Sequence, residues 1–407
     1  MNDSSNARQA LNFAKSVLLP KEEMLEVSPS HRSLTIAVLK EIDPDENRVA
    51  MAPHAVELLV NNGHKVFVER NAGSTANFLD VDYSEAGGIF VEDAKELYQA
   101  DIIIKVAPPT LQEISWMKGS QVLISSLLVG SQEPAYMVAL QEKKITAIAF
   151  EYLRDSLNRY SPVTESMSEI SGSASILIAA EYLSNSNHGK GEMLGGIAGV
   201  SPSDIVVLGA STAGECAART ALGLGATVKV FDSSIEKLGE LHYKLGQQVF
   251  TSILQPRVVH KALKTADVVI GALSYVEGHR YMVCLDSIMQ MKPNSVIVDL
   301  GMDHGGCFES SEPTTLNNPT FKKFNIVHYC VPNIPSRVSR TASYALSNIF
   351  GPLLIEIGES GGLQQLINEN IGVRNGIYMY NGILTKEAIG KKFGITSRDI
   401  DLLMAAF

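Results

Sequence analysis

The sequence predicts an α/β protein with two doubly wound parallel-sheet domains, a cleft between them and long helices linking them. Three observations predict it. Apolar runs of strand length alternate with helical stretches through both halves of the chain. The segment Asp204 to Asp232 reads as strand, glycine turn, helix and strand without interruption. Helical patterns at Ala174 to Leu183 and Ala342 to Gly358 are placed to carry the chain between the halves.

In the first half the apolar runs are Leu34 to Leu39, His64 to Glu69, Ile102 to Val106, Gln121 to Leu127 and Ile145 to Phe150. Helices at Ala55 to Asn62 and Val91 to Tyr98 supply crossovers, so the strands are expected to run parallel. The segment Ser161 to Ser173, rich in Ser and Pro, precedes the helix Ala174 to Leu183 that leaves this domain. His188 to Val200 holds five glycines and reads as a loop. After Asp232 the rhythm resumes with Ala266 to Leu273, Ser295 to Asp299 and Asn325 to Tyr329. The resulting division is an N-terminal extension (1–33), a first domain (34–163 with 341–407) and a second domain (164–340). Asn6 to Leu18 reads as a short helix and Pro20 to Ser33 as a linker or arm.

The segment from Asp204 to Asp232 meets the physical requirements of a bound dinucleotide. Gly209 lets the chain turn sharply after the apolar run Ile205 to Leu208, and Gly214 lets the following helix lie close to the sheet. The amino terminus of that helix offers free N–H groups and a favourable dipole to a pyrophosphate. Asp232 ends the second strand, where a carboxylate accepts hydrogen bonds from the adenosine ribose and repels a 2′-phosphate; NAD is therefore expected over NADP. Ser211 stands where the fingerprint has its middle glycine. The second half is thus expected to hold the cofactor.

Composition narrows the functional classes. The chain has 407 residues, 45% hydrophobic and 19% charged, which suits an enzyme with sizeable cores. Its 34 basic and 44 acidic residues give a net charge of −10 with no basic block, which argues against nucleic acid as the main ligand. No apolar run reaches the length of a membrane span, and the first residues lack the pattern of a secretory signal, so a cytoplasmic protein is expected. Cys216, Cys284, Cys307 and Cys330 form no C-x-x-C pair, so neither a disulfide framework nor a metal site is expected.

Ligands of open α/β sheets lie beyond the carboxyl ends of the strands, so polar residues following apolar runs are the candidates. Lys105 sits in I-I-I-K-V-A-P-P, where a charge inside an apolar strand demands a partner. Asp303 follows V-I-V-D-L-G-M and precedes His304, Gly305 and Gly306. Asn333 follows I-V-H-Y-C-V-P, and Arg48 lies in the loop after the first strand with Asp45 and Glu46 nearby. Such a set matches a small anionic substrate: cations hold it, and an acid or base moves its proton.

From about Leu34 to the C-terminus the chain resembles the alanine dehydrogenase and nicotinamide nucleotide transhydrogenase family, and more its alanine dehydrogenase branch. The resemblance rests on E-N-R-V-A-M-A-P (46–53), I-K-V (104–106), M-S-E-I-S-G (167–172) and L-G-A-S-T-A-G (208–214). It continues through D-L-G-M-D-H-G-G-C-F-E (299–309), P-T-T (313–315) and Y-C-V-P-N-I-P (329–335). It implies two Rossmann-like domains, a homohexamer, and reversible NAD-dependent deamination of L-alanine to pyruvate and ammonia. It also implies that Arg48 and Lys105 bind the substrate carboxylate and carbonyl, that Met167 lines the pocket and that Asp303 serves in proton transfer. Ser168, Asp232 and Asn333 are implied to contact the cofactor.

One position departs from the family. Its dehydrogenases carry a catalytic histidine in a segment resembling F-L-H-L, whereas the equivalent stretch here is S-L-L-V, with Leu128 in the histidine's place. No histidine lies between His64 and His188. Two alternatives therefore stand beside alanine dehydrogenation. One is a catalytically impaired NAD(H)-binding or transhydrogenase-like protein, the other a dehydrogenase of a different amino acid or 2-oxo acid.

Overall fold

The computed structural model describes residues 32–273 and 283–405. The expected helix at Asn6 to Leu18 lies outside the described residues, as does all but the end of the segment Pro20 to Ser33. The first sheet is built from β1 (Thr35–Val38), β2 (Lys65–Val68), β3 (Ile89–Phe90), β4 (Ile102–Ile104), β5 (Val122–Ser125) and β6 (Thr146–Ala149). The second is built from β7 (Asp204–Leu208), β8 (Thr227–Asp232), β9 (Phe250–Ile253), β10 (Val268–Gly271), β11 (Val296–Asp299), β12 (Thr320–Lys323) and β13 (Ile326–Tyr329). Near the C-terminus, β14 (Ile377–Tyr380) and β15 (Ile383–Leu384) return to the first sheet.

The first sheet has the order β15-β14-β6-β5-β4-β1-β2-β3, and the second β12-β13-β11-β10-β7-β8-β9. Within each, the six parallel strands follow the doubly wound order 3-2-1-4-5-6. The exceptions lie toward one edge: β14 is antiparallel to β6 and to β15, and β12 is antiparallel to β13. The strand order reverses between β1 and β4 in one sheet and between β7 and β10 in the other. Those two reversals open the crevices in which such sheets bind ligands.

The strands form because they are buried on both faces. Ile36 and Val38 of β1 enter one apolar core while Ala37 enters the core on the opposite face, the period-two alternation of a covered parallel strand. In the second sheet Ile205 and Val207 are likewise separated from Val206 and Leu208. Each fully buried aliphatic side chain contributes about 1.5–3 kcal/mol relative to exposure.

Five helices position the site: α1 (Pro53–Asn61), α2 (Leu111–Trp116), α3 (Pro162–Leu183), α4 (Thr212–Gly223) and α5 (Ser339–Glu359). The expected helix Ala174 to Leu183 starts a dozen residues earlier, so Ser161 to Ser173 is mostly helix. Pro162 at its first position loses no hydrogen bond, because the first N–H groups of a helix have no partner within it. Gly172 then lets α3 approach α4: a Cβ there would lie 2.1 Å from the carbonyl oxygen of Ala213. α5 extends three residues before and one beyond the expected span, despite Pro352 in its interior.

Among the described residues no helix is long and apolar enough to cross a membrane, and no group of three or more metal-ligating side chains occurs.

Candidate active site

At the turn between β7 and α4, Gly209 has φ +112°, and a Cβ there would sit 2.1 Å from the carbonyl oxygen of Ala272. A Cβ at Gly214 would lie 1.9 Å from the carbonyl oxygen of Gly209, so only glycine lets the helix turn back so tightly. Ser211 is the N-cap of α4, yet its hydroxyl donates to the carbonyl of Ala272 at 3.2 Å and does not cap the helix. The amino terminus of α4 is thereby left without a side-chain cap, facing the crevice. Asp232, buried at the end of β8, accepts N–H groups from Ala210 at 2.7 Å and Ser234 at 2.8 Å. It fixes the glycine turn and retains lone pairs for further donors. The uncapped helix end, the glycine turn and this carboxylate together fit a dinucleotide. From α3, Glu165 accepts the hydroxyl of Thr212, and Ser168 lies one helical turn further along.

The other wall comes from the first sheet. Arg48 is tied to Glu46 along one edge of its guanidinium: Nε donates to Oε1 at 2.7 Å and the second terminal nitrogen to Oε2 at 2.6 Å. The remaining terminal nitrogen points to Met167 on α3, 3.4 Å from its Sδ. Burial works against the charge on Arg48, but Glu46, Glu41 and Asp303 hold its pKa above the ordinary arginine value. Asn333 joins this group from the second sheet, its amide donating to Oε2 of Glu46 at 2.9 Å and to the carbonyl of Asp45 at 3.3 Å. Ser336 receives the N–H of Asn47 at 2.7 Å and donates to the carbonyl of Asp45 at 2.7 Å, while Leu316 N–H donates to the Asp45 carboxylate at 2.9 Å. The loop after β1 therefore grips the second domain at several points.

Asp303 lies in a single 3-10 turn, Met302–His304, closed by Gly305 at φ +87°. Its side chain is open to solvent yet ringed by protein, as in a cleft wall, and that surrounding raises its pKa against the opposing pull of His304 and Arg48.

Lys105 has the partners that a charge inside an apolar strand demands. It is wholly buried, its ammonium 2.5 Å from Glu113 Oε1 and 3.8 Å from Glu41 Oε2. Glu113 also caps α2 through Thr110 and accepts the hydroxyl of Tyr98 at 2.7 Å. Burial opposes its charge, but Lys105 draws its pKa below the usual glutamate value. Glu41 accepts the N–H of Val106 at 2.6 Å and of Ala107 at 3.3 Å, and burial raises its pKa to about 7 despite Lys105.

Leu128 follows β5 with φ +48° and ψ +55° and is 49% exposed. A left-handed conformation is costly for such a side chain. It is held by Glu151, whose Oε1 accepts N–H groups from Leu127 at 2.8 Å and Leu128 at 3.3 Å. The second oxygen of Glu151 is buried without a hydrogen-bond partner among the described residues, and burial raises this carboxyl's pKa.

The structure thus brings Arg48, Met167, Asn333 and Asp303 together, and places Gly209, Ser211, Gly214 and Asp232 around the end of α4. Sequence reasoning missed Glu41, Glu113 and Glu151. The available signal was charge balance: a lysine inside an apolar strand requires buried carboxylates, and acidic residues are otherwise rarely buried.

Two doubly wound sheets, one with a glycine turn and uncapped helix end and the other with a buried arginine, define a two-domain α/β protein of the dinucleotide-fold class. The chain belongs to the alanine dehydrogenase/PNT family. The family's N-terminal domain model matches residues 37–171 and its C-terminal domain model residues 175–387. The chain is 39% identical over 362 residues to the alanine dehydrogenase of Methanococcus maripaludis, covering 88% of this chain and 96% of that protein. It is 36% identical over 364 residues to the alanine dehydrogenase of Bacillus subtilis, covering 89% and 95%. A solved L-alanine dehydrogenase superposes with a TM-score of 0.82 at 35% identity, covering 89% of this chain and 99% of that one. A transhydrogenase from Sinorhizobium meliloti superposes with a TM-score of 0.71 at 26% identity, covering 87% and 99%.

Proposed function

We propose that this chain catalyses the reversible NAD-dependent oxidative deamination of L-alanine to pyruvate and ammonia. The observation that carries this reading is the cluster of Arg48, Met167, Glu46 and Asn333 across the two domains, with the Asp303 carboxyl close enough to Arg48 to bear on its charge. Residues 34–163 with 341–407 form the substrate half, and 164–340 the cofactor half.

Gly209, Ser211 and Gly214 would hold the pyrophosphate at the end of α4, Asp232 the adenosine ribose, and Ser168 and Asn333 the nicotinamide region. The bound cofactor supplies the hydride acceptor or donor. Arg48 presents to the substrate carboxylate the guanidinium edge that Glu46 leaves open. Met167 lines the pocket with an adaptable apolar surface. Asp303, whose pKa is raised, exchanges the proton at the substrate nitrogen or carbonyl. Lys105, held by Glu113 and Glu41, would bind the substrate carbonyl or carboxylate beside Arg48. The working form is a cytoplasmic homohexamer.

Leu128 favours a second reading. An apolar, exposed side chain at the family histidine's position suits a protein that binds NAD(H) without the chemistry, or a dehydrogenase of a bulkier amino acid or 2-oxo acid. Consumption of NADH with ammonium and a panel of 2-oxo acids decides between them. Turnover fastest with pyruvate supports alanine dehydrogenation, preference for a larger acid supports the altered dehydrogenase, and NADH binding without turnover supports the binding protein.

A further inference from the structure

We propose that Glu41 takes up a proton when a substrate carboxylate binds at Arg48, so that substrate binding and proton uptake are linked through the first sheet's switch point. The proposal rests on the reading of Arg48 as the carboxylate anchor.

The placement carries it. β1 and β4 are the strands between which the order of the first sheet reverses. Glu41 follows β1, and its carboxyl bridges to the backbone just after β4 through Val106 and Ala107. It therefore closes the floor of the crevice where ligands of such sheets bind. The charged groups facing it come from every neighbouring element: Lys105 at the end of β4, Glu113 from α2, and Glu46 and Arg48 from the loop after β1. Tyr98 also feels the charge of Glu41, and Glu69 after β2, which accepts the N–H of Lys40, feels that of Lys105 and Glu113.

Charge balance then sets the state of Glu41. Lys105 is paired at 2.5 Å with Glu113, and Arg48 at 2.6 Å with Glu46, so the two cations are already matched by two carboxylates. Glu41 is the surplus: its contact with Lys105 is the longer one at 3.8 Å, and it is buried. Burial pushes a surplus carboxylate toward its neutral form, and here it raises the pKa to about 7 against the pull of Lys105 and the N–H groups of Val106 and Ala107. A substrate carboxylate arriving at Arg48 adds a further negative charge and offsets the charge of the arginine, which interacts electrostatically with Glu41. The neutral form of Glu41 gains, and a proton moves from solvent to its carboxyl oxygen.

The test is calorimetric titration of pyruvate into the full-length protein saturated with NADH, without ammonium, in Pipes and in Tris, buffers of different ionisation enthalpy. Between about pH 7 and pH 8 the wild type should take up a fraction of a proton per pyruvate bound, at most about half at pH 7, and uptake should fade well above and below that range. Glu41→Gln should still bind pyruvate but lose most of this uptake. Equal uptake by Glu41→Gln, or binding by the wild type without uptake, overturns the proposal and leaves the anchor role of Arg48 standing. Absence of pyruvate binding at every pH overturns the anchor reading and this proposal with it. Infrared difference spectra of the wild type, bound minus free, need no variant: a gained band of a protonated carboxyl supports the proposal, and its absence contradicts it.

Discussion

Asn333 donates a 2.9 Å hydrogen bond to Oε2 of Glu46, the same carboxylate oxygen that pairs with Arg48 at 2.6 Å. An amide on the second domain thus helps to set the guanidinium of the first. The orientation of Arg48 is coupled to the closeness of the two sheets, and a cleft that opens at Asn333 releases one restraint on Arg48.

Leu128→His is expected to raise the rate of NADH oxidation with pyruvate and ammonium by about 10²-fold or more, the range that a positioned general acid–base contributes. The rate should acquire a further dependence near neutral pH, from the imidazole itself. Histidine also occurs more readily than leucine at positive φ, so melting temperature should not fall. A rate unchanged at every pH shows that position 128 is outside the reaction.

Gly214→Ala is expected to abolish NADH binding, followed by quenching of protein fluorescence. Its Cβ would lie 1.9 Å from the carbonyl oxygen of Gly209, a backbone atom that moves only if the turn itself moves. Stability should fall by about 1–3 kcal/mol through overpacking. Unchanged affinity would show that the turn does not shape the dinucleotide site.

Lys105→Met is expected to destabilise the fold by about 3–5 kcal/mol, since it leaves Glu113 buried without its cation. Adding Glu113→Gln should recover a large part of the loss. Chemical denaturation of both variants measures this, and full stability of the single variant would contradict the buried pairing.

Glu41 makes stability depend on pH with a definite sign. Its folded pKa of about 7 lies above the ordinary value of 4.5, so the folded state holds the proton where the unfolded state has released it. Stability is therefore lost as pH rises between those values, by at most about 3 kcal/mol for this group. Denaturation midpoints at about pH 5 and about pH 8 should differ less in Glu41→Gln than in the wild type. An equal difference would assign the pH dependence to other groups.

Much of the fold was legible because parallel strands buried on both faces must be continuous apolar runs, as Ile102 to Ile104 and Val296 to Asp299 are. The dinucleotide turn was legible because its glycines answer to local backbone contacts. The two-residue strand β3 and the edge strands β9 and β12 were not, since Phe250, Thr251 and Lys322 carry little apolar alternation. Ser161 to Ser173 read as non-helical by composition, and its helix is set by packing against α4 at Gly172. In the site, Arg48 and Asp303 were visible as polar residues beyond strand ends. That Lys105 needs a partner was visible too, but not which, because its carboxylates arrive from beyond β1 and from α2, apart from it along the chain.

The most direct measurement is NADH oxidation by the purified protein with pyruvate and ammonium, beside Arg48→Ala, across pH. Turnover by the wild type, with kcat/KM lower by about 10²-fold or more in Arg48→Ala, is the predicted result. A wild type that binds NADH yet shows no pyruvate-dependent oxidation at any pH, or one matched by Arg48→Ala, would contradict it.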